Sequence, residues 1–169
     1  MTQTNFLKLV MPFKDKIYRL SKRLLVSKEE AEDATQEILL KLWKNNTTIE
    51  TYANVEAFSM TMTKNLCLDR LKSKQAQNLK IAHSNYQDQN ESLQKQVENT
   101  DSVHWVSKIM EELPEQQKII VQLRDIEDYD FSDIAKVLDM NETAVRVALS
   151  RARKTIREQL TNKHSYGLR

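Results

Sequence analysis

The chain has 169 residues, 30% of them charged and 40% hydrophobic, with a formal net charge of +2. It contains one Gly and two Pro, so neither G-x-x-x-x-G-K-[ST] nor G-x-G-x-x-G occurs, and nucleotide chemistry on such a loop is excluded. So few chain breakers, with abundant Lys, Glu, Gln, Leu and Ala, predict an all-α protein of one or two small domains.

The elements follow in chain order. Phe6, Leu9, Val10 and Phe13 begin an apolar stripe at helical spacing, which Ile17, Leu20 and Leu24 extend. Ser27 is placed to cap the next helix, and Glu30 three residues on completes a capping box. That helix, Lys28 to Lys44, has Ala31, Ala34, Ile38 and Leu42 on one face, with Leu39 and Trp43 beside it. Asn45, Asn46, Thr47 and Thr48 break the pattern. A third long helix, about Val55 to Lys72, carries Phe58, Met62, Leu66, Leu68 and Leu71. Residues 5–73 thus read as a helical-bundle domain.

From 74 to 102 the composition turns to Gln, Asn, Ser and charge, the mark of a flexible linker. A second domain, a four-helix unit, is predicted over 103–160. Val103, Val106, Ile109 and Leu113 form its first stripe, Pro114 sits in the first turn of the next helix, and Ile119, Ile120 and Leu123 continue it. Blocks of about 70 residues lie near the lower limit for a self-sufficient core, so a partner is expected to complete some of the apolar surface.

Residues 131–153, FSDIAKVLDMNETAVRVALSRAR, read as two helices joined by a tight turn. Asp130 is placed to cap the first and Asp133 to favour its positive end. Ile134, Ala135 and Leu138 form its buried face, with Ala135 small where a second helix must cross. Asp139 falls where the chain tends to positive φ, which Asp tolerates better than most residues. Met140 is the apolar plug and Asn141 the next N-cap. Val145, Leu149 and Ala152 continue the buried stripe. Glu142, Thr143, Arg146, Val147 and Ser150 then face outward, followed by Arg151, Arg153, Lys154 and Arg157. This is the pattern of a helix-turn-helix that lays its second helix in a DNA major groove.

Charge is distributed unevenly. Residues 64–80 hold five basic residues against one acidic, a net of +4, and residues 141–169 hold seven against two, a net of +5. Between them, residues 81–130 hold four basic against eleven acidic, a net of −7. Two basic patches around an acidic stretch suggest two contacts with a polyanion. Cys67 is the only cysteine, so an intrachain disulfide is excluded and a buried thiol is expected. His83, His104 and His164 lie too far apart for metal-ligand spacing, and no metal or cofactor is expected. No signal peptide or membrane span is read, which predicts a cytoplasmic protein.

The two blocks together resemble the smallest sigma-70-family initiation factors, the extracytoplasmic-function (ECF) group. EEAEDATQEILLKLWK, from Glu29 to Lys44, is similar to the family segment with a D-x-x-Q-E core, here Asp33, Gln36 and Glu37. AFSMTMTKNLCLDRLKSK, from Ala57 to Lys74, is similar to the helix with the N-x-x-x-D-x-x-[RK] run, here Asn65, Asp69 and Lys72. LPEQQKIIVQLR, from Leu113 to Arg124, and the following SDIAKVLDMNETAVRVALSRARKTIRE, with its S-R-A-R run from Ser150 to Arg153, are similar to the C-terminal domain. Phe58 stands where the family often has Trp, and Asp128 where a Gly is common.

The resemblance implies a non-enzymatic subunit, with no catalytic residue, that gives core RNA polymerase its promoter specificity. It implies that Asp33, Gln36, Glu37 and Leu40 meet the polymerase, and that Asn65, Arg70, Lys72 and Lys74 hold the −10 element. It implies that Glu142, Thr143, Arg146, Val147 and Ser150 read −35 base edges, while Arg151, Arg153 and Lys154 hold phosphates. A flipped-base pocket near Asn65 and the segment after Ser73, with Tyr86 the nearest aromatic, and an anti-sigma partner are further expectations. The competing readings are a stand-alone helix-turn-helix regulator, a helical adaptor, and a DNA recombinase. The last would need an α/β framework, against which the glycine count argues.

Overall fold

A computed structural model describes residues 1–84 and 102–166 of the chain. These residues form eight α-helices and one π-helical turn, with no strand among them. In the first block, α1 (Gln3–Leu25) starts at Thr2, whose hydroxyl accepts from the Asn5 amide at 3.3 Å. Its stripe of Phe6, Val10, Phe13, Ile17, Leu20 and Leu24 is buried as the spacing predicts. Pro12 lies inside α1 without ending it, on the exposed side. The first block continues with α2 (Lys28–Lys44), a single turn α3 (Asn46–Ile49) and α4 (Val55–Ser84). Asn54 opens α4, its Oδ1 accepting from the Ala57 amide at 2.9 Å.

Helix α1 packs on α2 and on α4. Ser21, Ser59 and Thr63 are buried at these contacts and each hydroxyl donates to the carbonyl four residues back, at 2.7–2.8 Å. Small side chains satisfied on their own helix let the backbones approach without stranding a polar atom. Cys67 is fully buried on α4, and its burial pushes the thiol pKa up, against a bond with Ser21.

The chain passes from α1 to α2 through a strained corner. Val26 has φ 65° and ψ −36°, and the Ser27 amide donates to the Leu25 carbonyl at 2.7 Å, a γ-turn. A β-branched residue at positive φ is a steric outlier. Ser27 caps α2 as expected, accepting from the Glu30 amide at 3.3 Å. The second half of the capping box is not formed. The Glu30 carboxylate pairs instead with Lys74 of α4, which offers a full charge rather than an amide dipole.

The second block holds α5 (Ser102–Glu112), α6 (Glu115–Val121), the π-helical turn Gln122–Ile126, α7 (Phe131–Leu138) and α8 (Glu142–Tyr166). Pro114 is the N-cap of α6, one residue before the expected place. The π-turn closes with the Glu127 amide donating to the Gln122 carbonyl at 3.1 Å, and Asp128 follows at φ 58°. That is the left-handed region that favours glycine, which Asp tolerates better than most residues. Asp139 ends α7 at φ 52°, ψ 50°, and Met140 N donates to the Ala135 carbonyl at 2.9 Å. Asn141 caps α8 through Oδ1 to the Ala144 amide at 2.7 Å. Asp130 has the extended geometry of an N-cap but makes no side-chain cap bond.

One helix is longer than the sequence suggests: α4 runs to Ser84, past Lys72. Lys74, Gln75, Ala76 and Gln77 are good helix formers and extend it as an exposed polar stalk. Residues 85–101 of the expected linker, Tyr86 included, lie outside the described residues, and Ser102 already opens the next helix.

The two blocks lie against each other, and buried residues from both form one hydrophobic cluster. The surface that each small block leaves open is thus covered in part by the other. A polar seam runs beside this contact. Arg19 of α1 makes a forked bond to Glu127, at 2.7 and 2.8 Å, and the Glu127 side chain is only 2% exposed. Arg23 donates to Gln122 at 3.0 Å and to Ser107 at 3.1 Å, and Gln122 donates to Glu127 at 3.1 Å. Tyr129 and Lys16 both donate to Glu56 Oε1, at 2.7 and 2.8 Å. The bond to Glu127 raises the Arg19 pKa, whereas burial lowers that of Arg23. Burial, then the bond to Glu56, drives that of Tyr129 up. Lys64 of α4 donates to the Val137 carbonyl near the end of α7 at 2.9 Å, where a cation meets the negative end of a helix.

Candidate nucleic-acid interface

The helix-turn-helix is built from α7, the 139–141 turn and α8. Ile134, Ala135, Val137, Val145, Leu149 and Ala152 are buried, which fixes the crossing of the two helices. The residues of α8 expected to meet the −35 element, Glu142, Thr143, Arg146, Val147, Ser150, Arg151, Arg153 and Lys154, are all exposed. An open groove of about 490 Å³ lies along α8, lined by Asn141, Thr143, Val147 and Arg151 of the turn and α8, and by Gln116 and Gln117 of α6. The sequence reading missed these glutamines. Their place at the start of α6 becomes meaningful only once α6 lies beside α8.

The charged members of this face differ in what they touch. The Arg146 guanidinium lies over the Phe131 ring, 3.9 Å from its centroid, with Glu142 3.7 Å away. Arg153 makes a forked pair with Asp125, which raises its pKa, with Nε to Oδ2 at 3.0 Å. Lys154 lies 3.9 Å from Glu158. Arg151 has no ion-pair partner among the described residues.

The first block brings together residues expected to serve different partners. Arg70 of α4 donates to Asp33 at 2.7 Å and to Glu37 at 2.6 Å on α2. Glu37 also pairs with Lys41 at 2.8 Å. Bonds from Lys41 first, then Arg70, lower the Glu37 pKa. Burial alone would lower the Arg70 pKa, but the bonds from Glu37 and Asp33 outweigh it and leave it raised. Lys74 is held by Glu30. Asn65, Lys72 and Gln36 are exposed, and Leu40 presents an apolar side chain at 51% exposure.

A second aromatic feature lies at the start of α4. Tyr52 and Phe58 sit with ring centroids 4.5 Å apart, both exposed. Tyr52 also lines a cleft of about 610 Å³ with Pro12, Phe13, Ile49, Asn54 and Val55. Sequence alone points to aromatics after Ser73 and not to this pair, because the two rings meet across the turn between α3 and α4.

Residues 9–77 match the family model for sigma-70 region 2, and residues 104–156 match that for sigma-70 region 4. The chain belongs to the sigma-70 family. Within it the chain is an extracytoplasmic-function sigma factor, as are the curated relatives it matches. SigE of Mycolicibacterium smegmatis is 25% identical over 166 residues, covering 93% of this chain and 62% of that protein. SigW of Bacillus subtilis is 23% identical over 168 residues, covering 94% of this chain and 90% of that protein. The fold is shared with the sigma factor RpoE of Bartonella quintana, solved with the anti-sigma factor NepR. That structure has a TM-score of 0.75 at 18% identity, over 93% of this chain and 97% of that one. CnrH, solved with the cytosolic domain of CnrY, gives a TM-score of 0.70 at 16% identity, over 95% and 90%. Because the family matches fall on both blocks, the stand-alone regulator and recombinase readings are not favoured. No described helix is long and apolar enough to cross a membrane.

Proposed function

We propose that this chain binds core RNA polymerase in the cytoplasm and directs it to promoters as a binding subunit rather than an enzyme. The observation that carries the reading is the exposed α8 face, where Glu142, Thr143, Arg146, Val147 and Ser150 stand clear of the buried stripe. On this reading α8 enters the major groove at the −35 element. Arg146 takes a guanine edge, Glu142 accepts from cytosine, and Arg151, with Arg153 and Lys154, holds phosphates. Asp33, Gln36, Glu37 and Leu40 of α2 meet the polymerase. Asn65, Lys72 and the α4 stalk follow the −10 strand, and Arg70 and Lys74 join them once released from their acids.

The Tyr52–Phe58 pair suits the melted strand, since exposed rings stack on any base and the cleft beside Tyr52 offers room for one. An anti-sigma partner is proposed by analogy with the RpoE and CnrH complexes. The test is co-purification with core polymerase followed by run-off transcription on genomic fragments. Discrete start sites that depend on the chain are expected; failure to bind core enzyme overturns the reading.

A further inference from the structure

We infer that Phe131 is a positioning residue for sequence choice: its ring supports the Arg146 guanidinium from below and so presets the N–H edge that meets a base. The inference rests on the reading of Arg146 as a base contact. The Arg146 Cζ is 3.9 Å from the ring centroid, and the Arg124 Cζ lies over the same ring at 4.5 Å. Arg124 is itself anchored, donating to the Tyr129 carbonyl at 2.7 Å. Phe131 is the first residue of α7 and packs against the core, so the ring is held by the fold rather than by the surface.

The geometry favours presetting over sequestration. A guanidinium carries its donors in its own plane, so stacking occupies the face and leaves the fork free for a bidentate contact. Glu142 at 3.7 Å is too far for a hydrogen bond, so it does not use up that fork either. An unstacked arginine must surrender rotamer freedom when it reads a base, and one already stacked surrenders less. A ring supplied by α7 thus aligns a reader on α8.

The experiment uses holoenzyme reconstituted with core polymerase, and a pair of promoter duplexes that differ at the base pair where Arg146→Ala loses discrimination. Phe131→Leu keeps apolar bulk and removes the π face. It is expected to reduce the affinity ratio between the two duplexes about two- to fivefold, the scale of an exposed cation–π contact, while leaving affinity for the non-preferred duplex unchanged. Phe131→Tyr keeps the ring and is expected to retain the ratio. In an Arg146→Ala background, Phe131→Leu should change the ratio no further.

Unchanged or increased discrimination in Phe131→Leu overturns the inference, as does an equal loss on both duplexes. If Arg146→Ala weakens every duplex evenly, base reading by Arg146 fails and the inference fails with it. If Arg146→Ala is selective and Phe131→Leu is not, only the role of Phe131 fails.

Discussion

Helix α4 holds Arg70 and Lys74 against acids of α2, whereas α8 holds most of its reading face out to solvent. Glu30, Asp33 and Glu37 recur at helical spacing along α2 and meet Lys74 and Arg70 from α4. An open groove runs along α8, and Arg146 of the same helix leans on a ring rather than on an acid of a neighbouring helix. The neighbouring helix therefore decides what a basic residue does, and net charge along the sequence does not. The corners differ in the same way. The second block places Asp128 and Asp139 at its positive-φ positions, while the first block forces Val26 into one. The recognition unit is built from residues suited to their backbone, and the first block retains a strained joint.

The sharpest test of this contrast is Arg146→Ala. It is expected to cost about 1–3 kcal/mol of discrimination at one −35 base pair. Unfolding free energy should stay within about 0.5 kcal/mol of the parent. Binding of holoenzyme to promoter variants, with urea unfolding alongside, measures both. An even loss on all promoters would place α8 with α4 and end the contrast.

Arg70→Ala should do the reverse. Removing a cation shared by two carboxylates is expected to lower stability by about 1–2 kcal/mol, the partial exposure of the pair being allowed for. Were urea unfolding unchanged while −10 binding fell, Arg70 would be a free DNA contact and the two helices would be alike.

The corners give a smaller effect. Val26→Gly relieves a β-branched side chain at positive φ and loses some backbone entropy, a net gain of about 1 kcal/mol. Asp139→Gly should gain less, because Asp tolerates the left-handed region. Thermal melts of the two variants rank them, and equal gains would remove the difference between the corners.

The smallest effect is on the acid limb of the stability profile. The Glu37 pKa is lowered on folding, so its contribution is complete above the ordinary glutamate value of about 4.3 and is lost as pH falls through the depressed one. Glu37→Gln should flatten part of that limb, as followed by urea midpoints at stepped pH. An unaltered limb would mean that the α2–α4 pairing adds nothing to the fold.

What could be read from the sequence was what local chemistry determines. The turn of the helix-turn-helix was legible because Asp139 and Asn141 signal a left-handed residue and a cap without reference to anything distant. The stripes of α1 and α8 were legible because burial follows the helical period. The pairing of Arg70 with Asp33 and Glu37 was not, since it joins positions 37 and 33 residues apart and requires knowing how α2 and α4 lie together. Nor was the seam: Lys16, Arg19 and Arg23 recur at helical spacing as a basic stripe on α1, but their partners Glu56, Gln122 and Glu127 lie far along the chain. The Tyr52–Phe58 pair and the glutamines of α6 escaped for the same reason. Each is made by a tertiary approach of residues that look unremarkable alone.

Cys67 gives the chain a clock. Its sulfur has no exposed surface and its thiol is held protonated by burial, so a thiol reagent reaches it only when α4 parts from its neighbours. Since no other cysteine competes, every labelled molecule records one opening of the first block. A partner that braces these helices slows the clock, and one that pries them apart runs it faster. The grip of any such partner can thus be timed on the native chain, with no label added beforehand.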